Sequence, residues 1–262
     1  MIRAIILDLD NTLTDFMKMK GAAIDAALDG MVDAGLPVSR EVLREHIWRV
    51  YNDRGIEYQQ VFDLALMEAV GSIDPRVLAA GIVAYRRARE STLVTYPHVQ
   101  YTLLGLLKRG LKLAVVSDAP RTQVWLRLAS LQLHNLFDVV VTFDDTQARK
   151  PSPEPFRRAL ERLGIGADEA LMVGDWAERD VVGASQVGIR TVFARYGDTF
   201  GTGESGADFD INDLMELLDI VDKLNGRPLE VRPPVDTVLP AGPPAPRPPG
   251  ITRGARKKEP QH

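Results

Sequence analysis

Four short groups of polar residues combine side chains that can hold a metal ion and a phosphate. They are Asp8-Leu9-Asp10-Asn11-Thr12, Ser117-Asp118, Lys150, and Gly174-Asp175 followed by Asp180. Crowded carboxylates repel one another unless a cation lies among them. Carboxylate oxygens suit Mg²⁺, and the lysine and serine suit phosphate oxygens. Each group alone also fits a strand end, a turn or a surface charge, so only the combination indicates a site for Mg²⁺ and a phosphate-bearing ligand.

Strands and helices that position these groups are predicted from runs of apolar residues. Continuous apolar runs predict strands buried on both faces, at residues 2–9, 111–116, 138–143, 170–173 and 190–194. Helical patterns lie between and after them, at residues 101–109, 122–131, 153–163 and 180–187, and a short strand (207–211) and helix (212–224) follow. This alternation predicts an α/β fold with a doubly wound parallel sheet. Ligands bind at the carboxyl ends of such strands, so we expect all four polar groups at one edge.

The segment between Asp15 and Tyr96 breaks this alternation. It contains four helical patterns and no predicted strand, at residues 16–34, 40–52, 57–70 and 75–90. Glycine and proline breakers separate the patterns. We therefore predict a core domain from residues 1–15 and 96–225 and an all-helical domain, residues 16–95, inserted directly after the first strand.

Residues 226–262 differ from the rest of the chain in composition. They hold 10 of the 17 prolines, and seven Lys or Arg residues against three Asp or Glu residues. Prolines at this density prevent both strand pairing and helix continuation, so we predict a disordered tail. We interpret the tail as a solvated extension, and a tail that binds an unknown partner or contacts nucleic acid is the alternative.

The overall composition of the 262 residues limits the possible functions. There is no cysteine, which excludes thiol catalysis, disulfides and cysteine-ligated metals. The net charge of −4 gives no indication of binding to nucleic acid or to an anionic membrane. The apolar N-terminal run is interrupted by Asp8 and Asp10, so it does not fit a signal peptide, and no run is long enough to predict a transmembrane helix. We expect a cytoplasmic protein.

In these motifs the sequence resembles the haloacid dehalogenase (HAD) superfamily of phosphohydrolases. The matching residues are Asp8, Asp10 and Thr12 in the first motif, D-x-D-x-T; Ser117 in the second; Lys150 in the third; and Gly174, Asp175 and Asp180 in the fourth, G-D-x-x-x-x-D. The resemblance covers residues 1–225. The helical insertion is similar to the cap of the phosphoglycolate-phosphatase-like branch, which implies a Rossmann-like core with a helical cap.

The resemblance implies an Mg²⁺-dependent phosphatase that hydrolyses a small phosphorylated metabolite. Asp8 would attack phosphorus and form an aspartyl-phosphate. Asp10 would protonate the leaving oxygen and then activate water. The implied metal ligands are Asp8, the backbone carbonyl of Asp10 and Asp175, with Asp180 behind them or acting through water. The residues implied to bind the phosphate are Thr12, Ser117, Asp118 and Lys150.

The cap in this family closes over the active site and selects the leaving group. We expect hinges near Thr14-Asp15 and Thr95-Tyr96-Pro97. Three cap cations are candidates for facing the site: Lys18, Lys20 and Arg54. Arg54 lies in a break between two predicted helices, and we assign it to substrate binding. Each of the three is also explained as a solvated helix charge.

Three other functions fit parts of the pattern. A 2-haloacid dehalogenase has the same fold and an aspartate nucleophile but typically lacks the second aspartate of the first motif, which is present here as Asp10. A sugar phosphomutase of this fold would retain both aspartates. A catalytically silent binding module would keep the fold and use its tail for partners. Phosphate release with Mg²⁺ distinguishes the phosphatase from the other three.

Overall fold

A computed structural model of the protein describes residues 1–226. Its sheet has six parallel strands in the order β3-β2-β1-β4-β5-β6. The strands are β1 (Ala4–Leu7), β2 (Lys112–Val116), β3 (Val139–Val141), β4 (Ala170–Gly174), β5 (Arg190–Ala194) and β6 (Phe209–Ile211). Strand β1 is central, and Leu7 is in register with Val115 on one side and Val173 on the other. The ends of β1, β2 and β4 are therefore level.

Both faces of the sheet are covered by helices, because alternate strand residues point to opposite sides. Ile5 and Leu7 belong to an apolar cluster with residues of α5 (Val99–Lys108), α6 (Arg121–Ser130) and α10 (Glu216–Leu224). Ala4 and Ile6 belong to a second cluster with residues of α8 (Glu154–Leu163) and α9 (Val182–Ser185). The predicted fold class, a doubly wound α/β sheet, is confirmed.

The predicted helices at residues 57–70 and 212–224 begin four residues later than predicted, at Val61 and Glu216. Two further predicted elements differ in other ways. The strand predicted at residues 138–143 ends at Val141, because the Thr142 backbone N–H donates to the Asp145 carboxylate at 2.8 Å and begins a short helix, α7 (Phe143–Thr146). The helix predicted at residues 180–187 is a wide π-turn, Ala177–Val181, followed by α9. The turn carries Asp180 against Gly174, where an added Cβ would lie 2.3 Å from the Asp180 carboxyl carbon.

Four helices occupy the insertion between β1 and α5, and we refer to them, with their connecting turns, as the cap (residues 16–95). They are α1 (Phe16–Asp33), α2 (Arg40–Arg54), α3 (Val61–Val70) and α4 (Pro75–Thr92). Helices α1 and α4 approach closely, since a Cβ on Gly81 would lie 2.1 Å from Cε of Met31. The cap has its own apolar cluster, drawn from all four helices.

The two chain segments that connect the cap to the core lie side by side. Thr14 and Thr95 form an antiparallel bridge. The Tyr96 N–H donates to the Leu13 carbonyl at 3.1 Å, and the Thr14 hydroxyl donates to the Val94 carbonyl at 2.8 Å. These are the segments predicted as hinges. The division into core and cap domains at residues 15 and 96 stays a prediction.

Within residues 1–226, no helix combines the length and apolar character needed to cross a lipid bilayer. The predicted disordered tail, apart from Gly226, lies outside the described residues.

Candidate active site

The predicted site residues follow the carboxyl ends of the central strands. Asp8 comes directly after β1, Ser117 after β2 and Asp175 after β4. The Asp8 N–H donates to the Val173 carbonyl at 2.9 Å, which continues the strand pairing up to the carboxylate. The sheet therefore fixes the backbone of Asp8 next to the end of β4.

Lys150 is the buried centre of this group. Its ammonium donates to Oδ1 of Asp8 at 2.5 Å, to Oδ1 of Asp180 at 2.6 Å and to the Val116 carbonyl at 3.2 Å. These bonds use the three donors of the ammonium. Burial lowers the pKa of Lys150, but the charges of Asp180 and Asp8 outweigh it and raise this pKa above its ordinary value. Lys150 is therefore protonated at neutral pH.

Three carboxylates surround one end of the site. Oxygens of Asp8, Asp175 and Asp180 all lie within 4.8 Å of one another. Burial raises the pKa values of Asp8 and Asp175, and the charge of Asp180 raises both further. Carboxylates that are costly to ionise together favour a cation among them. The all-oxygen donor set suits a hard divalent ion such as Mg²⁺.

Contacts from neighbouring residues orient two of these carboxylates. The Thr12 hydroxyl donates to Oδ1 of Asp175 at 2.8 Å, and the Tyr196 hydroxyl donates to the Thr12 carbonyl at 2.8 Å. Oδ2 of Asp180 accepts from the Trp176 N–H at 3.1 Å, while Lys150 holds Oδ1. Both oxygens of Asp180 thus accept hydrogen bonds from the protein, and the Thr12 hydroxyl orients the carboxylate of Asp175.

Ser117 and Asp118 follow strand β2. The buried Ser117 hydroxyl accepts from the Ala119 N–H at 3.2 Å, which leaves its proton to donate elsewhere. Asp118 accepts from the Lys150 N–H at 2.9 Å and from Arg179 at 3.2 Å. The Asp118 carboxylate therefore fixes the loop that carries Lys150.

Asp10 has a different set of partners from Asp8. Its Oδ2 accepts from Arg127 at 2.8 Å, while its Oδ1 is buried without a hydrogen-bond partner among residues 1–226. The other arm of the Arg127 guanidinium pairs with Glu57, in the turn between α2 and α3. Burial raises the pKa of Asp10 to about 6, although the charge of Arg127 opposes this rise. A carboxyl group with such a pKa can carry a proton near neutral pH.

Sequence reasoning did not identify Arg127 or Glu57. The available signal was the position of Arg127 in α6, where Val124, Arg127 and Leu128 form the buried face. An arginine on such a face requires a buried anionic partner. Glu57 had no such signal: the apolar pattern makes it the first residue of a predicted helix (57–70), whereas it lies in the turn before α3 (Val61–Val70).

A cavity of about 220 Å³ opens beside Arg127, between the cap and α6. Lys20 lines it and is buried, with its ammonium donating to the Ile56 carbonyl at 2.8 Å and lying 4.2 Å from the centre of the Tyr51 ring. Lys18 is exposed, and Arg54 is exposed at the last residue of α2. Of the three cap cations considered, Lys20 therefore lies at the cavity, and the assignment of Arg54 to substrate binding stays a prediction.

Two named phosphatases are similar to this chain over most of its length. Glyceraldehyde 3-phosphate phosphatase of Methanocaldococcus jannaschii is 34% identical over 227 residues, which cover 86% of this chain and 99% of the relative. Phosphoglycolate phosphatase of Salmonella typhimurium is 31% identical over 238 residues, with 83% and 92% covered.

A solved structure and a family model also match this chain. The crystal structure of a HAD phosphatase from Thermococcus onnurineus matches with a TM-score of 0.66 at 28% identity, covering 84% of this chain and 98% of that one. A model of the haloacid dehalogenase-like hydrolases matches residues 5–194. This extent confirms the predicted family: the chain belongs to the haloacid dehalogenase-like hydrolases.

Proposed function

We propose that this protein is an Mg²⁺-dependent phosphatase that hydrolyses a small phosphate monoester through an aspartyl-phosphate on Asp8. The observation that carries the proposal is the geometry around Asp8. Its Oδ1 is held by Lys150, and Asp175 and Asp180 lie beside it. The phosphatase names of the relatives support the same reaction.

Asp8 is the nucleophile in this mechanism. Lys150 binds Oδ1, so the second carboxylate oxygen attacks phosphorus. The Ser117 hydroxyl then donates to a phosphoryl oxygen. The three donors of the Lys150 ammonium stay engaged by the protein, and its positive charge stabilises the negative charge that is spread over the phosphoryl oxygens in the transition state. Asp118 supports this step indirectly, since it holds the backbone of Lys150.

Asp10 transfers protons in both half-reactions. In the first, it donates a proton to the oxygen of the departing alcohol. In the second, it accepts a proton from the water that attacks the phosphorylated Asp8. A pKa of about 6 suits both roles, because a catalytic acid–base group works best when its pKa lies near the operating pH.

The residues present fit a resident Mg²⁺. Asp8, Asp175 and the Asp10 backbone carbonyl would hold it, and Asp180 would act through water because Lys150 and Trp176 occupy both its oxygens. Bound Mg²⁺ would neutralise charge on the transferring phosphoryl group. Thr12 would orient Asp175 for this task, since its hydroxyl donates to that carboxylate.

The substrate proposed here is a phosphate ester with a small leaving group. The cavity of about 220 Å³ is lined by Arg127 and Lys20 but not by Asp8 or Asp10, so we take it as the space for the leaving group and not for the phosphoryl group. Glyceraldehyde 3-phosphate and phosphoglycolate are the first candidates, from the names of the relatives.

The test is phosphate release from a panel of phosphorylated metabolites and p-nitrophenyl phosphate, with Mg²⁺ or with EDTA. We expect Mg²⁺-dependent turnover, and a hydroxylamine-sensitive phosphate label on the protein. Asp8→Asn should remove both while the thermal unfolding transition remains cooperative. A folded Asp8→Asn protein with wild-type turnover would contradict the assignment of Asp8. Isomerisation of a sugar phosphate without phosphate release would favour a phosphomutase, and no reaction with any ester would favour a silent module.

A further inference from the structure

Arg127 is a buried cation at the boundary between the cap and the core. Its side chain is 8% exposed, and its guanidinium lies 4.5 Å from the centre of the Phe16 ring. One arm donates to Oδ2 of Asp10 at 2.8 Å and the other pairs with Glu57 of the cap. The charges of Asp10 and Glu57 raise the pKa of Arg127 despite its burial, so it remains a cation.

This arrangement makes the two oxygens of Asp10 unequal. Oδ2 is occupied by Arg127. Oδ1 is buried, and the described residues offer it no hydrogen-bond partner. A buried polar atom without a partner is costly, so its position in a folded protein requires a reason such as a ligand. The atom that would supply the missing contact is the leaving oxygen of a bound ester or a water molecule.

We propose that Arg127 is a positioning residue: it holds Oδ2 of Asp10 so that Oδ1 gives and takes the proton, and Glu57 of the cap holds Arg127 in place. The inference rests on the proposed phosphatase function and extends it to a residue outside the family motifs.

The proton balance of the two half-reactions shows what Arg127 does. First, the bond from phosphorus to the leaving oxygen breaks as the Asp8–phosphorus bond forms, and the proton on Oδ1 of Asp10 moves to the leaving oxygen. Then water attacks phosphorus, its proton moves to Oδ1, and the Asp8–phosphorus bond breaks to release inorganic phosphate. Arg127 neither gains nor loses a proton. It keeps Oδ1 directed at the oxygen that changes partners.

If Arg127 had only a structural role, substituting it would lower the reaction rate of all esters alike. If it positions Asp10, the substitution lowers the rate mainly for esters whose leaving group needs a proton. We therefore compare phenyl phosphate with p-nitrophenyl phosphate, since the two have similar shapes and the nitrophenolate leaves with little help from an acid. The rate constant of protein phosphorylation is measured in single turnovers with Mg²⁺. We expect Arg127→Met to lower it roughly 100-fold for phenyl phosphate and by less than about fivefold for p-nitrophenyl phosphate.

The variants are chosen so that a folding defect is recognised. Glu57→Gln should give the same pattern with a smaller effect, and Arg127→Lys should restore part of the rate for phenyl phosphate. Arg109→Met is the matched control, because Arg109 also pairs with a carboxylate, Asp222, but through helix α10. It should lower stability without changing the ratio of the two rates.

The outcomes separate this inference from the proposed function. An equal loss for both esters in Arg127→Met, or in Glu57→Gln if Arg127→Met does not fold, would overturn the positioning role and leave the phosphatase intact. A wild-type protein inactive toward all phosphate esters would overturn the phosphatase, and the positioning role with it.

Discussion

Lys150 and Arg127 each lie buried between two carboxylates, and comparing them separates two parts of the site. Lys150 joins Asp8 to Asp180, and all three belong to loops at the edge of the sheet. Arg127 joins Asp10 to a glutamate of the cap. The Lys150 cluster, which is Lys150 with Asp8, Asp175 and Asp180, lies entirely in the core. The Arg127 cluster, which is Arg127 with Asp10 and Glu57, includes a residue of the cap. The proposed nucleophile is thus held by the core, and the proposed acid–base residue depends on both.

The two clusters also differ in their charge balance. Arg127 has two carboxylates, and its planar guanidinium can bind each with a separate arm. Lys150 has two carboxylate partners, and Asp175 adds a third negative group beside Asp8. With every carboxylate ionised, the Arg127 cluster has one negative charge in excess and the Lys150 cluster has two, so the Lys150 cluster has the greater need of another cation.

The largest effect is expected from Lys150→Met, which removes the only cation hydrogen-bonded to Asp8 within residues 1–226. We expect kcat to fall at least about 10³-fold, because a buried donor to the reacting groups is lost. The control is Lys112→Met at the opposite end of β2, where the ammonium donates to the Leu163 carbonyl, and it should leave kcat unchanged. Substantial turnover by Lys150→Met would show that the core does not need this cation.

Mg²⁺ should act mainly on the Lys150 cluster, because it would meet the Arg127 cluster only through the backbone carbonyl of Asp10. The pKa values of Asp8 and Asp175 are raised mainly by burial, so the folded metal-free protein holds protons that the unfolded chain releases above about pH 4. Metal-free stability therefore falls as pH rises through the neutral range, and Mg²⁺ binding releases protons. We expect calorimetry in two buffers to show proton release, and thermal shifts by Mg²⁺ to grow with pH.

The matched variants for that measurement are Asp175→Asn and Glu57→Gln. The first should remove the Mg²⁺-dependent stabilisation, and the second should retain it. Equal losses in both would mean that metal binding is coupled to the cap.

A smaller effect is expected from Gly174→Ala, which disturbs the Lys150 cluster without changing any charge. The new Cβ would lie 2.3 Å from the Asp180 carboxyl carbon, so this side chain must shift. We expect a loss of about 1–3 kcal/mol in the free energy of unfolding, measured with urea. Gly203→Ala is the control, since its Cβ would have no atom within 4 Å. Equal stability of the two variants would contradict the tight placement of Asp180.

The smallest effect is expected from Lys20→Met, on the cap side of the comparison. Lys20 donates to the Ile56 carbonyl and lines the cavity, so it is placed to contact the leaving group. We expect KM to rise about tenfold with little change in kcat, as for one lost hydrogen bond to a charged group. Arg44→Met, which breaks a partly exposed pair with Asp25 on the cap surface, is the control. A fall in kcat alone would indicate a role in the chemical step.

The contrast between the clusters also explains what the sequence could predict. Asp8, Asp175 and Ser117 follow apolar strands, and a parallel sheet brings such strand ends together whatever lies between them. The contact of Arg127 with Glu57 depends on how the turn between α2 and α3 of the cap packs against α6 of the core. No local pattern encodes that packing. The end of the third strand is predicted wrongly for a local reason. The Asp145 side chain accepts a hydrogen bond from the Thr142 N–H and ends the strand at Val141, although the apolar run continues to Phe143.

The paired segments at Thr14 and Thr95 have a consequence for how an enzyme with this architecture can evolve. Because the chain leaves the core and returns to it at adjacent points, the sheet does not depend on the length of what is inserted there. Doubling the length of a closed loop costs only about 0.6 kcal/mol. The insertion can therefore be replaced by one of a different length without disrupting the sheet. Substrate preference is free to diverge in one such exchange, while the chemistry proposed for Asp8 is inherited unchanged.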